Sequence, residues 1–202
     1  MSKIRVLEAG LQTTIQDLGR LGWAHYGVSA SGAADPLALR AANLLVGNAE
    51  NAAALEMTLK GGAFEFEAPA TIAITGSDFG SGLPLWTPVE IAAGQTVRFG
   101  ATRSGARAYL AVRGGLDVPL VMGSASVHVM TCVGGRPLRA GDTLAIGNAA
   151  GQIFISTALD YTFPLTAMLG WLGLVLVISV VASFYPAWSA ARLTVREVLA
   201  YE

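Results

Sequence analysis

Hydrophobic and polar positions alternate through residues 3–8, Lys-Ile-Arg-Val-Leu-Glu, the period of a half-buried strand. Residues 13–16 are expected to form a second strand after a turn at Gly10. The period then lengthens. Leu37, Ala41, Leu44 and Leu45 fall at i, i+4, i+7 and i+8, one face of an α-helix, and that face is expected to pack on a sheet. Asp35 is placed to cap this helix, Pro36 to fill its first position, where no N–H is needed, and Gly47 to close it in a left-handed conformation. The two-residue period returns at 55–59, 63–67, 71–75, 89–91, 96–99, 107–112 and 143–146. Two of these strands share a frame. Ala93-Gly94-Gln95-Thr96-Val97-Arg98-Phe99-Gly100 and Ala140-Gly141-Asp142-Thr143-Leu144-Ala145-Ile146-Gly147 both read A-G-x-T-[VL]-x-[FI]-G, a tight glycine turn into an alternating strand. Two copies are too few for a solenoid and fit a glycine-turned barrel or sandwich.

Past Gly151 the pattern disappears. Residues 161–191 contain no charge, and 165–185 supply the roughly 20 apolar residues that cross a ~30 Å hydrocarbon core at about 1.5 Å each. Tyr161 and Phe163 stand at one end, Tyr185 and Trp188 at the other, where amphipathic rings prefer the membrane interface. A single C-terminal transmembrane helix is expected here, with membrane contact over 161–188 and a polar tail behind it. Arg192 and Arg196 favour a cytoplasmic C-terminus. The N-terminus has Lys3, Arg5 and Glu8 with no apolar stretch behind them, which is not a secretory signal, so residues 1–150 are expected to begin in the cytoplasm. The two expectations conflict for a chain with one crossing.

Composition narrows the chemistry. Thirteen Lys and Arg against fourteen Asp and Glu leave a net charge of −1, with no basic run, so no nucleic-acid partner is expected. One cysteine, Cys132, excludes an intrachain disulfide and a thiolate metal cluster. His25 and His128 have no flanking ligand at metal spacing, and no metal site is expected. No G-x-S-x-G elbow occurs to support a serine nucleophile. The densest polar cluster among glycines is Thr13-Thr14-Ile15-Gln16-Asp17-Leu18-Gly19-Arg20. There the guanidinium forks onto carboxylates and Gln both donates and accepts, so Gln16, Asp17 and Arg20 suit a ligand carboxylate or amide; an Asp17–Arg20 ion pair tying a turn is the alternative. Asp78, in Thr75-Gly76-Ser77-Asp78-Phe79-Gly80, follows a strand and precedes a loop, where site residues and turn residues both occur. The Gly76, Gly80, Gly82 spacing is no phosphate fingerprint, since Lys is absent and Pro84 follows.

These residues also carry a resemblance. Residues 7–20 from Leu-Glu-Ala-Gly to Asp-Leu-Gly-Arg, then Gly27-Val28, Ser31-Gly32-Ala33-Ala34-Asp35, Ala42-Asn43-Leu44-Leu45-Val46-Gly47-Asn48 and Ala54-Leu55-Glu56 closely resemble the biotin-dependent carboxyltransferase family. Thr75-Gly76-Ser77-Asp78, Tyr109-Leu110-Ala111-Val112-Arg113-Gly114-Gly115-Leu116-Asp117 and Gly135-Arg136-Pro137-Leu138-Arg139-Ala140-Gly141-Asp142 extend the likeness to about residue 147. The family is also called allophanate hydrolase subunit 2 and includes the C-type subunit of 5-oxoprolinase and the sporulation regulator KipA. The resemblance implies a cyclophilin-like β-barrel and ATP-dependent opening of 5-oxoproline or carboxyl transfer from biotin to urea. It implies catalytic roles for Gln16, Asp17, Arg20 and Asp35, the last also the helix cap, and substrate binding by Asn48, Glu56 and Asp78. No cofactor is expected on this chain itself, whereas ATP and biotin are implied for the family's complexes. The implied partners are the B-type, KipI-like sister subunit and the A-type subunit of a 5-oxoprolinase complex. Where the family reads G-S-R-S-T, this chain has Gly123-Ser124-Ala125-Ser126-Val127, losing a cation and a hydroxyl. The family's members run to about twice this length.

The end of the chain, Phe184-Tyr185-Pro186-Ala187-Trp188-Ser189-Ala190-Ala191-Arg192-Leu193 onward, resembles the last helix and tail of MacB and FtsX type ABC transporter permeases. The expected fold is therefore mainly β, a partial cyclophilin-like barrel with one α-helix over residues 1–148, a junction at 149–160, and a permease-like transmembrane helix and tail over 161–202. The leading functional expectation is an amide-processing enzyme subunit, truncated and inactive for want of half the family fold. A membrane-tethered KipA-like binding module and a fused reading frame carrying a permease tail are the alternatives.

Overall fold

The computed structural model describes residues 2–147 and, in the apolar segment, Gly173, Val175, Leu176, Ile178, Ser179 and Ala182. The chain divides into two compact units, Met1–Thr157 and Ala158–Glu202. Within the first lie strands β1 (Lys3–Glu8), β2 (Gln12–Gln16), β3 (Ala54–Thr58), β4 (Ala63–Phe66), β5 (Ala70–Gly76), β6 (Pro88–Ile91), β7 (Thr96–Arg98), β8 (Arg107–Val112), β9 (Leu116–Asp117) and β10 (Thr143–Ile146). The α-helix α1 (Pro36–Leu45) and a 3-10 turn at Ala24–Tyr26 complete its described elements. The two-residue β9 and the 3-10 turn are too short to leave a period in the sequence.

The strands form two five-stranded sheets, ordered β7-β4-β1-β10-β9 and β2-β3-β8-β5-β6. Their inner faces close on one apolar core. Ile4, Val6, Phe64, Phe66, Leu144 and Ile146 come from the first sheet; Leu55, Met57, Ile72, Ile74, Leu110 and Val112 come from the second. The first sheet turns its other face to solvent, where Arg5 pairs with Glu65 at 3.4 Å and Glu67 at 3.1 Å across strands. That one-sided burial is why β1 and β4 alternate so clearly. The second sheet is covered on its outer face by α1, and β3, β5 and β8 are buried almost throughout.

The repeated glycine frame works the same way twice. Gly94 and Gly141 both take positive φ, 75° and 92°. Their N–H groups donate to Phe66 O and Val6 O, on the strands that β7 and β10 then join. Each turn thereby delivers its strand to the correct neighbour.

Asp35 caps α1 as expected, accepting from Ala38 N at 3.0 Å, with Pro36 at the first position. The buried face of α1 differs from the expected one. Ala38, Leu39, Ala42 and Val46 pack on Ala54, Ala73, Tyr109 and Ala111, whereas Leu37 and Leu44 are 74% and 56% exposed. The Tyr109 ring fills the space between helix and sheet, so small residues face it. The outer edge of β2 is closed by the 121–138 loop: Val127 N donates to Ile15 O and Leu138 N to Thr13 O.

The C-terminal transmembrane helix of the expected fold is overturned. Among the described residues no helix is long and apolar enough to cross a membrane. The residues described there, Gly173, Val175, Leu176, Ile178, Ser179 and Ala182, are helical. The membrane localisation and membrane contact inferred from that helix fall with it. The rest of 161–191, and the tail that carries the permease resemblance, lie outside the described residues.

Candidate functional site

Gln16 ends β2, and the chain then turns through Asp17 to Arg20 against residues 30–33. Arg20 N donates to Ala30 O at 2.8 Å and Ala33 N to Asp17 O at 2.9 Å. Gly19, at φ 89°, lies so close to this partner that a Cβ would come within 2.7 Å of Ala30 O. The three polar side chains of this turn are withdrawn from solvent: Gln16 is 5% exposed, Asp17 7% and Arg20 2%.

Asp17 is held by the 121–127 loop. Its Oδ1 accepts from Ser124 Oγ at 2.6 Å, Ser126 Oγ at 2.5 Å and Gly19 N at 2.7 Å, while Oδ2 accepts from Ala125 N at 2.6 Å. Its own N–H donates to Ser126 Oγ at 2.9 Å. Arg20 spreads its donors over the same loop and its neighbour: Nη2 to Ser126 O, Nε to Val121 O at 3.4 Å and Nη1 to Ser31 Oγ at 2.9 Å. Gln16 Nε2 donates to Thr14 Oγ1 and Val127 O, both at 3.0 Å. The three residues are thus brought together, and Asp17 and Arg20 bind two loops into one frame. Both hydroxyls left in Gly123-Ser124-Ala125-Ser126-Val127 serve this frame, and Ala125 packs in the core.

A second polar group sits on the next two strands of the sheet, β3 and β8. Glu56 Oε2 accepts from Tyr109 Oη and from Ala34 N, each at 2.8 Å. Arg107 Nε lies 3.3 Å from Glu56 Oε1. Tyr109 Oη in turn accepts from Asp35 N at 2.7 Å. Burial holds the Tyr109 phenol well above its ordinary range; the nearby Glu56 raises it further and the Asp35 N–H works against this. Asp35 reaches this group through its backbone, its carboxylate being spent on the helix cap.

The remaining expected residues lie elsewhere. Asn48 clamps the end of α1 to the turn after β8, donating to Val112 O and accepting from Gly114 N, both at 2.8 Å. Asp78 closes its own turn by accepting from Gly80 N at 2.7 Å and faces Arg103 at 3.9 Å. Arg107, Tyr109, Ser124 and Ser126 were not anticipated as partners of the site. The strand period places Tyr109 and Arg107 on one face, but no local pattern connects Ser124 or Ser126 to Asp17. Among the described residues no group of His, Cys, Asp and Glu is arranged to hold a metal.

Known proteins share this part of the chain. The family profile of the carboxyltransferase domain, subdomain A and B, matches residues 26–168. The C-type subunit of the 5-oxoprolinase of Escherichia coli is 44% identical over 154 residues, 72% of this chain and 50% of that protein. Urea amidolyase of Saccharomyces cerevisiae is 41% identical over 150 residues, 70% of this chain and 8% of the relative. Among solved structures, the urea amidolyase of K. lactis superimposes with a TM-score of 0.71 at 34% identity, over 79% of this chain and 10% of the other. The chain thus spans about half the length of the 5-oxoprolinase component it matches.

Proposed function

Because the chain belongs to the carboxyltransferase domain family, subdomains A and B, we propose that it acts on the amide group of a small substrate as one component of a larger assembly. The names of its relatives, a urea amidolyase and one component of a 5-oxoprolinase, support that substrate class and the need for partners. The observation that carries the reading is the buried network at the end of β2. Asp17 and Arg20 fix the loops around the end of β2, Gln16 Nε2 is held by Thr14 and Val127, and β2 pairs with β3, which carries Glu56 of the Glu56–Tyr109 pair.

Breaking or carboxylating an amide needs donors where negative charge develops on oxygen and a group that handles the amide proton. In this reading Gln16 orients the amide and Glu56, with Tyr109, manages the proton. Asp17 and Arg20 are positioning residues that act through Gln16. Asp35 contributes its backbone N–H, and Asn48 and Asp78 hold turns. ATP and biotin belong to the partner proteins. The glycine loop after β5 does not suit a phosphate, since the Asp78 carboxylate already occupies the Gly80 N–H.

The test mixes the purified full chain with the A-type and B-type components of a 5-oxoprolinase and follows ATP hydrolysis. Hydrolysis that depends on both 5-oxoproline and this chain is the expected result. If neither 5-oxoproline nor urea stimulates turnover and no complex forms, the reading fails.

A further inference from the structure

Two loops of the first unit are free of charge. Residues 21–34 and 118–135 contain no Lys, Arg, Asp or Glu, although the frame that ties them down is built on Asp17 and Arg20. These loops also carry most of the large apolar side chains that the first unit exposes among its described residues. Met130 is 90% exposed, Leu21 82% and Tyr26 71%, and Trp23, Leu120 and Val129 are exposed to a lesser degree. A single exposed leucine is ordinary on a protein surface. Six large apolar groups on two charge-free loops mark a surface made to be covered.

Arg20 brings the loops together. Leu21 follows it directly in the chain, while its guanidinium donates to Ser31 Oγ, Val121 O and Ser126 O. Gly134, at the foot of the second loop, lies so close to that guanidinium that a Cβ would come within 2.8 Å of Nη2. Each loop is then stiffened by its own bonds. In the first, Tyr26 N donates to Trp23 O and Gly27 N to Ala24 O, and the ring centres of His25 and Tyr26 are 4.0 Å apart. In the second, His128 N donates to Val133 O and the His128 ring meets Thr131 Oγ1 at 2.7 Å, with Met130 between them in the chain. Apolar groups held in place before a partner arrives lose little freedom on contact.

We propose that these loops form an interface between two copies of this chain, set face to face about a twofold axis. Charge and area both point to a second copy. A surface that meets its own copy sets like beside like, so a charge near the axis faces the same charge, and a surface without charge escapes that repulsion. The six side chains expose on the order of 700 Å², against about 800 Å² per partner in a standard interface. Trp, Tyr and Met with charge excluded is the composition of an interface core, whereas a nucleic acid would require cations. The inference is independent of the amide reading, since it uses none of Gln16, Glu56 and Tyr109.

The test is sedimentation of the full chain over concentrations from about 0.1 to 100 μM. A reversible equilibrium between monomer and dimer is expected, not weakened by salt between about 0.05 and 0.5 M, because no ion pair contributes to it. Met130→Glu and Leu21→Glu put a carboxylate into the interface, and each is expected to weaken the dimer about thirtyfold or more. Leu37→Glu changes an equally exposed leucine on the outer side of α1 and is expected to leave the dimer unchanged. A chain that stays monomeric throughout overturns the proposal, as does a dimer that survives both loop substitutions or that Leu37→Glu dissociates equally. So does a monomer that uses the same loops to bind the A-type or B-type component, which assigns the face to another protein. On the native chain, amide exchange over 21–27 and 128–133 is expected to slow as concentration rises. Equal exchange at low and high concentration overturns the interface even where a variant fails to fold.

Discussion

Asp17 gathers four donors on one carboxylate, from separate stretches of chain. Removing it takes the acceptor away from Gly19 N, Ala125 N and the protons of two buried hydroxyls, and bonds to a charged group are worth about 1.5–3 kcal/mol each. Asp17→Ala is expected to cost about 3 kcal/mol or more, measured by urea denaturation. Tyr109 gives the residue-scale pH effect. Its folded-state pKa lies above the ordinary 10.0, so its contribution is fully present below pH 10 and is lost as pH rises from there. Unfolding free energy should fall above that point, and Tyr109→Phe should flatten the fall. The Gln16, Asp17, Arg20 cluster was legible in the sequence because its members are neighbours. Its partners were not: Ser126 lies 109 residues from Asp17, and a hydroxyl or a backbone carbonyl leaves no periodic trace.

Helix α1 shows how an element can be found and yet oriented wrongly. Its start follows from Asp35 and Pro36, whose chemistry is local, and Asp35→Ala is expected to cost about 1 kcal/mol. Its buried face depends on what lies beneath. The large leucines suggested Leu37 and Leu44, but the sheet presents Tyr109 beside Ala54, Ala73 and Ala111, and small residues fit against that ring. Leu39→Ala should therefore cost about 2–5 kcal/mol by chemical denaturation. Leu37→Ala and Leu44→Ala should stay within about 0.5 kcal/mol. Equal effects at all three would return α1 to the orientation read from its leucines. The strands were easier, because burial on one face imposes a period and the repeated glycine turns mark where two of them begin.

At the scale of the molecule the two sheets share one core, so they should melt together. Ile4→Ala in the first sheet and Leu55→Ala in the second are each expected to lower a single transition, with hydrogen exchange in β4 and β8 protected to the same limit. Separate transitions would show that the sheets are independent. Hydropathy gave the expectation of a crossing in the apolar segment, because apolar composition measures how much of a segment avoids water, and among the described residues no helix is long and apolar enough to cross a membrane. One consequence follows from the place of β1, which lies between β4 and β10 and pairs with both. Its second neighbour is encoded about 140 residues later, which at 5–20 residues per second is a wait of roughly 7–30 s on the ribosome. Through that interval β1 stands with at least one side bare, and the newborn chain is a natural client for whatever shields open strands in the cell.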